Sequence, residues 1–180
     1  RVIDIPRGKT LGGSSSINGM VFNRGQNMDF DVWAQKGNKV LSYSDLLPYF
    51  KRYENRLAEH DEVFRGTEGE LPITDLEYRD PLCEAFIKGA VEEGIPRNKD
   101  YNGKFQEGVS YVKRTTQGRF RVSEAKAFLN PVKSRKNLTI ITNAFVSKVI
   151  IENQTATGVE FLKGGIRGKK IILKANNEVI

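Results

Sequence analysis

Pro6-Arg7-Gly8-Lys9-Thr10-Leu11-Gly12-Gly13-Ser14-Ser15-Ser16-Ile17-Asn18-Gly19-Met20-Val21-Phe22, running on through Arg24-Gly25 to Asp29-Phe30-Asp31-Val32-Trp33, decides how this chain is read. Two adjacent glycines lead into three hydroxyls, and an apolar segment carrying one amide, Asn18, follows. Glycine has no Cβ, so backbone can approach a ligand closely. Serines at a helix start cap free N–H groups and leave a partly positive end suited to a phosphate or other anion. The local chemistry fits a nucleotide or cofactor contact, and equally a plain turn with a helix cap. Gly8-Lys9-Thr10 looks like the end of a P-loop, but Ile3 stands where that motif needs its first glycine, which argues against a nucleotide triphosphatase.

Working outward, Ser14 to Phe22 is expected to form a short helix entered through a serine cap. Met28 to Gln35 reads as another helical turn or two, with Asp29 and Asp31 near its positive end. Ser44 is expected to cap a helix running to about Arg56, on which Leu46, Leu47, Phe50 and Tyr53 recur at helical spacing. Residues 58–69 are polar and aperiodic, hence a loop, and Leu71 to Thr74 is a short strand. Asp80-Pro81 opens a helix ending near Gly94, with Leu82, Phe86 and Ala90 on one side. A long irregular connection over 95–108 is of the kind that often carries function. Val109 to Thr115 alternates like a strand, and Ser123 starts a short helix ending before Pro131. From Leu138 strands follow one another at 138–141, 145–152, 157–163, 169–175 and 178–180, separated by Asn153-Gln154 and Gly164-Gly165.

At 180 residues and 38% hydrophobic content the chain can bury one ordinary core. The apolar run from Leu138 to Ile151 is broken by Asn143, Ser147 and Lys148, so it does not span a membrane. A lone cysteine, Cys83, excludes an internal disulfide and reads as a small buried hydrophobe on its helix. The net charge of +7 raises nucleic-acid binding, but the basic residues are scattered among acids and no recognition motif accompanies them. Lys163 to Lys174 alternates with apolar residues as a hairpin with a solvated outer face would.

The ordered set Arg7-Gly8-Lys9, Leu11-Gly12-Gly13-Ser14-Ser15, Asn18, Arg24-Gly25 and Asp29-Phe30-Asp31-Val32-Trp33 closely resembles the first signature of the glucose–methanol–choline (GMC) flavoenzymes. Ser42-Tyr43, Asp45-Leu46-Leu47-Pro48-Tyr49-Phe50, Gly69-Glu70-Leu71-Pro72, Asp100-Tyr101-Asn102-Gly103, Gln106-Glu107-Gly108, Arg121-Val122-Ser123 and Asn137-Leu138-Thr139 extend the likeness over nearly the whole chain. Its choline dehydrogenase-like and alcohol dehydrogenase-like bacterial members match best. The resemblance implies an FAD-dependent oxidoreductase that moves a hydride from an alcohol carbon to flavin. The family's Gly-Xaa-Gly-Xaa-Xaa-Gly turn and its catalytic histidine are not in this sequence, whose one histidine, His60, sits in an unmatched polar segment. The chain therefore reads as an internal fragment, inactive alone, and no residue in it is assigned a catalytic role.

The implied fold is α+β: an antiparallel sheet with flanking helices over 37–136 as the substrate domain, with 1–36 and 137–180 as an incomplete part of the FAD-binding domain. By the same resemblance Gly8, Leu11, Gly12, Gly13 and Ser14 wrap the FAD pyrophosphate and ribityl chain. Asn18, Gly19, Met20 and Val21 lie beside the isoalloxazine ring, and the backbone of Val146 meets the adenine. From pattern alone Met20 and Val21 equally suit core packing, and Val146 is simply an interior strand valine. Ile17 stands where some members carry a histidine bonded to flavin, so non-covalent FAD is implied. Lys39-Val40-Leu41 replaces the family's Pro-Gly-Trp. Expected partners are a small alcohol, choline among the candidates, and the parent's remaining segments, with no metal. Membrane association of the parent is open, and the expected location is cytoplasmic or peripheral to the inner membrane. A binding or structural module of the same fold, without catalysis, is the alternative. Gln106 and Glu107 could approach substrate or serve a turn; His60 reads as a solvated loop residue and Trp33 as core.

Overall fold

The computed structural model describes residues 2–180, which divide into two compact units, the first running to Val132 and the second spanning Lys133–Ile180. In the first unit, α1 (Asn27–Gln35) starts with a capping box in which Gln26 and Asp29 satisfy each other's backbone N–H groups. Helix α2 (Tyr43–Tyr53) is capped by Ser42 rather than Ser44: the Ser42 Oγ accepts from the Asp45 backbone at 3.2 Å, three residues on as the geometry of a cap requires. It stops at Tyr53 because Glu54 turns extended and begins β1 (Glu54–Arg56), which pairs in parallel with β2 (Leu71–Ile73). Asp80 caps α3 (Pro81–Glu92), with Pro81 at its first turn, and Gly94 follows in the left-handed region at φ 88°. A small hairpin, β3 (Thr116–Gln117) with β4 (Phe120–Arg121), turns through Gly118.

Several expectations need correction. Residues 109–115 are extended but make only isolated bridges: Arg114 pairs with Val21 on one side and Thr74 on the other. The segment thereby stitches the Met20–Phe22 stretch to the end of β2. Helix α3 is turned with Ile87 inward, so Leu82 and Phe86 stand in solvent, and Cys83 is exposed rather than buried. Trp33 is half exposed, resting edge-on against Phe30 instead of filling the core. The core is Phe22, Leu71, Ile73, Val122 and Ala127, with Tyr53 and Phe128 packed against it. Ser123 does begin a helical segment, a wide π-type turn over Ala125–Leu129.

The second unit is a meander of β5 (Ala144–Glu152), β6 (Thr155–Lys163) and β7 (Lys169–Lys174), antiparallel throughout in the order β5-β6-β7. Asn153 and Gln154 both take positive φ, 49° and 65°, the backbone of the hairpin turn that matches strand twist. Register sets Val146, Val149, Val159, Phe161, Ile171 and Leu173 on one face. Residues 138–141 and 178–180, expected as strands, pair with nothing among the described residues and remain irregular.

Candidate functional site

The glycine–serine segment does not form the expected helix over Ser14–Phe22. Gly12 and Gly13 both sit at positive φ, 87° and 54°, and pass into one 3₁₀ turn, Gly13–Ser16, with no side-chain cap. All three hydroxyls hold the loop itself. Ser14 Oγ accepts from the Gly8 N–H at 3.2 Å, Ser15 Oγ donates to the Gly12 carbonyl, and Ser16 Oγ donates to the Leu11 carbonyl at 3.0 Å. Gly8 lies so close to Gly13 that a Cβ on Gly8 would overlap the Gly13 carbonyl. A Cβ on Gly12 would meet Ser16 Oγ at 2.7 Å. Gly13 and Gly19, in contrast, face open space on the side a Cβ would occupy.

Beyond the turn, Asn18 Oδ1 accepts from Met20 N–H at 2.9 Å and from Arg121 Nη1 at 2.7 Å. Arg121 also donates to the Ser15 carbonyl at 3.1 Å, and the Glu124 N–H donates to Ser15 Oγ at 3.0 Å. Met20 is left-handed at φ 62°. From there the backbone is extended: the Thr115 N–H donates to the Met20 carbonyl and the Phe22 N–H donates to the Lys113 carbonyl. Phe22 and Arg24 are buried while Val21, Asn23 and Gly25 are exposed. Val21 and Gly19 therefore turn their edge outward, and among the described residues neither N–H has an acceptor. An edge with two free donors, reached past a glycine with open space beside it, suits a ligand that presents acceptor atoms and needs close backbone approach.

Two buried clusters hold this edge in place. Glu54, fully buried, accepts from the guanidinium groups of Arg24 and Arg65, and Arg65 Nη1 reaches both oxygens of Asp100 at 2.5 and 2.6 Å. Burial alone would lower the Arg65 pKa, but its bonds to Glu54 and Asp100 outweigh that and raise it. Arg24 also donates from its main chain to Asn102 Oδ1 at 2.8 Å, and Tyr101 Oη and Asn102 Nδ2 both donate to the Phe22 carbonyl. Gln106 Nε2 donates to the Arg24 carbonyl at 3.0 Å, so this residue serves the clasp. A cleft of about 470 Å³ opens between residues 24–28 and 101–107.

In the second cluster Asp75 receives a two-pronged contact from Arg56 Nη2, at 2.9 and 3.0 Å, and one from Lys113 Nζ at 2.7 Å. Desolvation pushes the Asp75 carboxyl up, but the hydrogen bonds from Lys113 and Arg56 outweigh it and hold the group below its ordinary value. A carboxyl depressed in the folded state contributes its full stabilisation above the unfolded-state value, near 3.8, and loses it as pH falls further toward the folded value. Acid unfolding of Asp75→Asn is therefore expected to be less steep below about pH 4 than that of the parent chain. Equal steepness in the two, read by fluorescence across an acid titration, would contradict this.

Gly8, Leu11, Gly12, Gly13, Ser14, Asn18, Gly19, Met20 and Val21 thus lie along one continuous loop in the first unit. Val146 lies in the second unit, paired with Phe161 and 55% exposed rather than interior. Sequence reasoning missed Arg121 as the brace of Asn18 and Glu124 as a donor to Ser15; the only signal was the nearby Arg121-Val122-Ser123 match. His60 keeps to its own loop, with Nδ1 at 2.7 Å from the Ala58 carbonyl. Among the described residues no group of histidine, cysteine, aspartate and glutamate could hold a metal ion, and no helix is long and apolar enough to cross a membrane.

The profile of the GMC oxidoreductases matches residues 1–180, the full length of the chain. The chain belongs to the GMC oxidoreductase family. It is 45% identical over 180 residues to an oxygen-dependent choline dehydrogenase of Sinorhizobium fredii (strain NBRC 101917 / NGR234), covering 100% of this chain and 32% of that protein. An alcohol dehydrogenase [acceptor] of Pseudomonas putida is 41% identical over 158 residues, or 88% of this chain and 29% of the relative. Among solved structures, pyridoxine 4-oxidase from Mesorbium loti superposes with a TM-score of 0.85 at 31% identity, over 94% of this chain and 33% of that one. An FAD-dependent oxidoreductase from Chaetomium thermophilum reaches a TM-score of 0.89 at 27% identity, covering 98% and 32%. This GMC chain, mixed in helix and strand, spans about a third of the length of the curated relatives it matches.

Proposed function

We propose that this chain supplies part of the FAD cradle and part of the substrate wall of an FAD-dependent oxidoreductase acting on the CH–OH group of a primary alcohol such as choline. The observation that carries the reading is the outward edge at Gly19 and Val21, whose two free N–H groups follow a turn walled by glycines. When bound, FAD supplies a hydride acceptor. Backbone donors of this kind would stabilise negative charge gathering on a reduced ring. Gly8, Leu11, Gly12, Gly13 and Ser14 would line the pyrophosphate and ribityl chain, Gly13 leaving room for close approach. Asn18 and Met20 would position the ring-facing edge. Ile17 offers no nucleophile to carbon, so attachment would be non-covalent. Residues 1–36 and 137–180 would then belong to the flavin domain, and 37–136 to a substrate domain whose antiparallel sheet is completed by other parts of the parent.

Extended to the length of its relatives, the polypeptide is expected to copurify with a flavin that acid precipitation releases intact, and to bleach when given an alcohol anaerobically. The 180 residues alone, with added FAD, are expected to turn over no alcohol. A colourless full-length protein, or a flavin that stays on the precipitated chain, would overturn the corresponding part of this reading.

A further inference from the structure

The two buried clusters differ in their charge balance. Arg24 and Arg65 are matched one for one by Glu54 and Asp100. Arg56 and Lys113, whose side chains are 1% and 7% exposed, share the single carboxylate of Asp75. The remaining Lys113 contact is the Lys99 carbonyl, and Arg56 Nη1 donates to the Ile73 carbonyl, so neither adds negative charge. Arg56 Nε is buried with no acceptor among the described residues, as is Arg24 Nε in the first cluster. One positive charge is thus left uncompensated away from bulk water, a costly arrangement unless an anion lies near.

A cavity of about 160 Å³ opens on this cluster, lined by Arg56, Asp75, Arg79, Arg97, Ser110 and Lys113 among others. Arg79 is held over the Tyr111 ring, its guanidinium carbon 4.5 Å from the centroid, and pairs with no carboxylate among the described residues. Arg97 is matched by Glu84 at 3.6 Å, and Lys99, also lining the cavity, by Glu59 at 3.7 Å. Counting partners, the rim and floor carry two positive charges in excess, one from the Arg56–Lys113–Asp75 set and one from Arg79. None of the lining residues belongs to the Gly8–Val21 loop.

We propose that this cavity is a binding site for a small oxyanion of the phosphate or carboxylate type, separate from the glycine-walled loop. The volume admits a group of that size. Arg79 supplies donors at the rim, while Arg56 and Lys113 supply fixed positive charge beneath.

The test is calorimetric titration of inorganic phosphate, and separately of succinate, into the 180-residue chain in a buffer of low ionic strength free of other oxyanions. One saturable event per chain is expected with at least one of the two, and whichever binds identifies the source. Arg79→Gln, on an exposed side chain, is expected to weaken binding by about tenfold, as loss of one charge-assisted contact does. Asp75→Asn, which removes the competing carboxylate, is expected to strengthen it. These opposite signs would not follow from a general loss of folding. No saturable binding of either anion by the parent chain, or binding unchanged in Arg79→Gln, would overturn the proposal. Because no flavin enters the measurement, its failure leaves the FAD reading untouched, and the reverse holds as well.

Discussion

Replacing Glu54 with glutamine is expected to destabilise the first unit by about 3–5 kcal/mol, the cost typical of breaking a buried ion pair from one side. The carboxylate is fully buried and serves two guanidinium groups, those of Arg24 and Arg65. Glutamine keeps the shape but has one acceptor oxygen and turns two N–H donors toward an arginine, leaving positive charge uncompensated. The damage spreads because Arg24 also anchors the extended edge that ends in Val21, and Arg65 ties Asp100 to the same centre. Urea unfolding followed through Trp33 fluorescence should show a lower midpoint with unchanged slope. Removing Arg65 together with Glu54 should cost less than the sum of the single changes, since the second loss relieves the charge exposed by the first. A Glu54→Gln chain within about 1 kcal/mol of the parent would refute the keystone role.

Gly8→Ala is expected to leave melting nearly unchanged yet to lower FAD affinity of the full-length protein by at least about tenfold. The added methyl would overlap the Gly13 carbonyl, so the wall between these two glycines must open. Opening it breaks the Gly8–Ser14 hydrogen bond and moves Gly13, the residue we propose lets the cofactor approach closely. Neither Gly8 nor Gly13 belongs to the buried core of Phe22, Leu71, Ile73, Val122 and Ala127, so the melt should change little. Gly13→Ala makes the informative contrast. Its methyl would touch nothing, but its φ of 54° strains any residue with a Cβ, by roughly 1–2 kcal/mol. If both variants bind flavin like the parent, the loop does not touch the cofactor. Flavin titration by fluorescence quenching decides between these outcomes.

The elements read most readily from the chain were those with local punctuation. Asp80-Pro81 starts α3 and Gly94 follows its end; Asn153-Gln154 and Gly164-Gly165 turn the meander of the second unit. Strand β1 was opaque because Glu54-Asn55-Arg56 looks like solvated surface. Its two charges are buried only through partners far along the chain, such as Arg24 and Asp75. The same limit applies to α3, where helical spacing marks a stripe through Leu82 and Phe86 but cannot say which stripe meets the core; packing chose Ile87. The candidate loop was legible because its residues are contiguous. Its shape was not, since Ser14 and Ser16 turn back on Gly8 and Leu11, and Asn18 is braced by Arg121 from 103 positions away.

That inward turn of the serine hydroxyls has a thermodynamic corollary. A segment that satisfies its own polar groups is already rigid before any guest arrives, so little freedom remains to be lost on association. Affinity at the Gly19–Val21 rim would then reflect contacts formed rather than order imposed, and docking there should proceed without a slow rearrangement of the host.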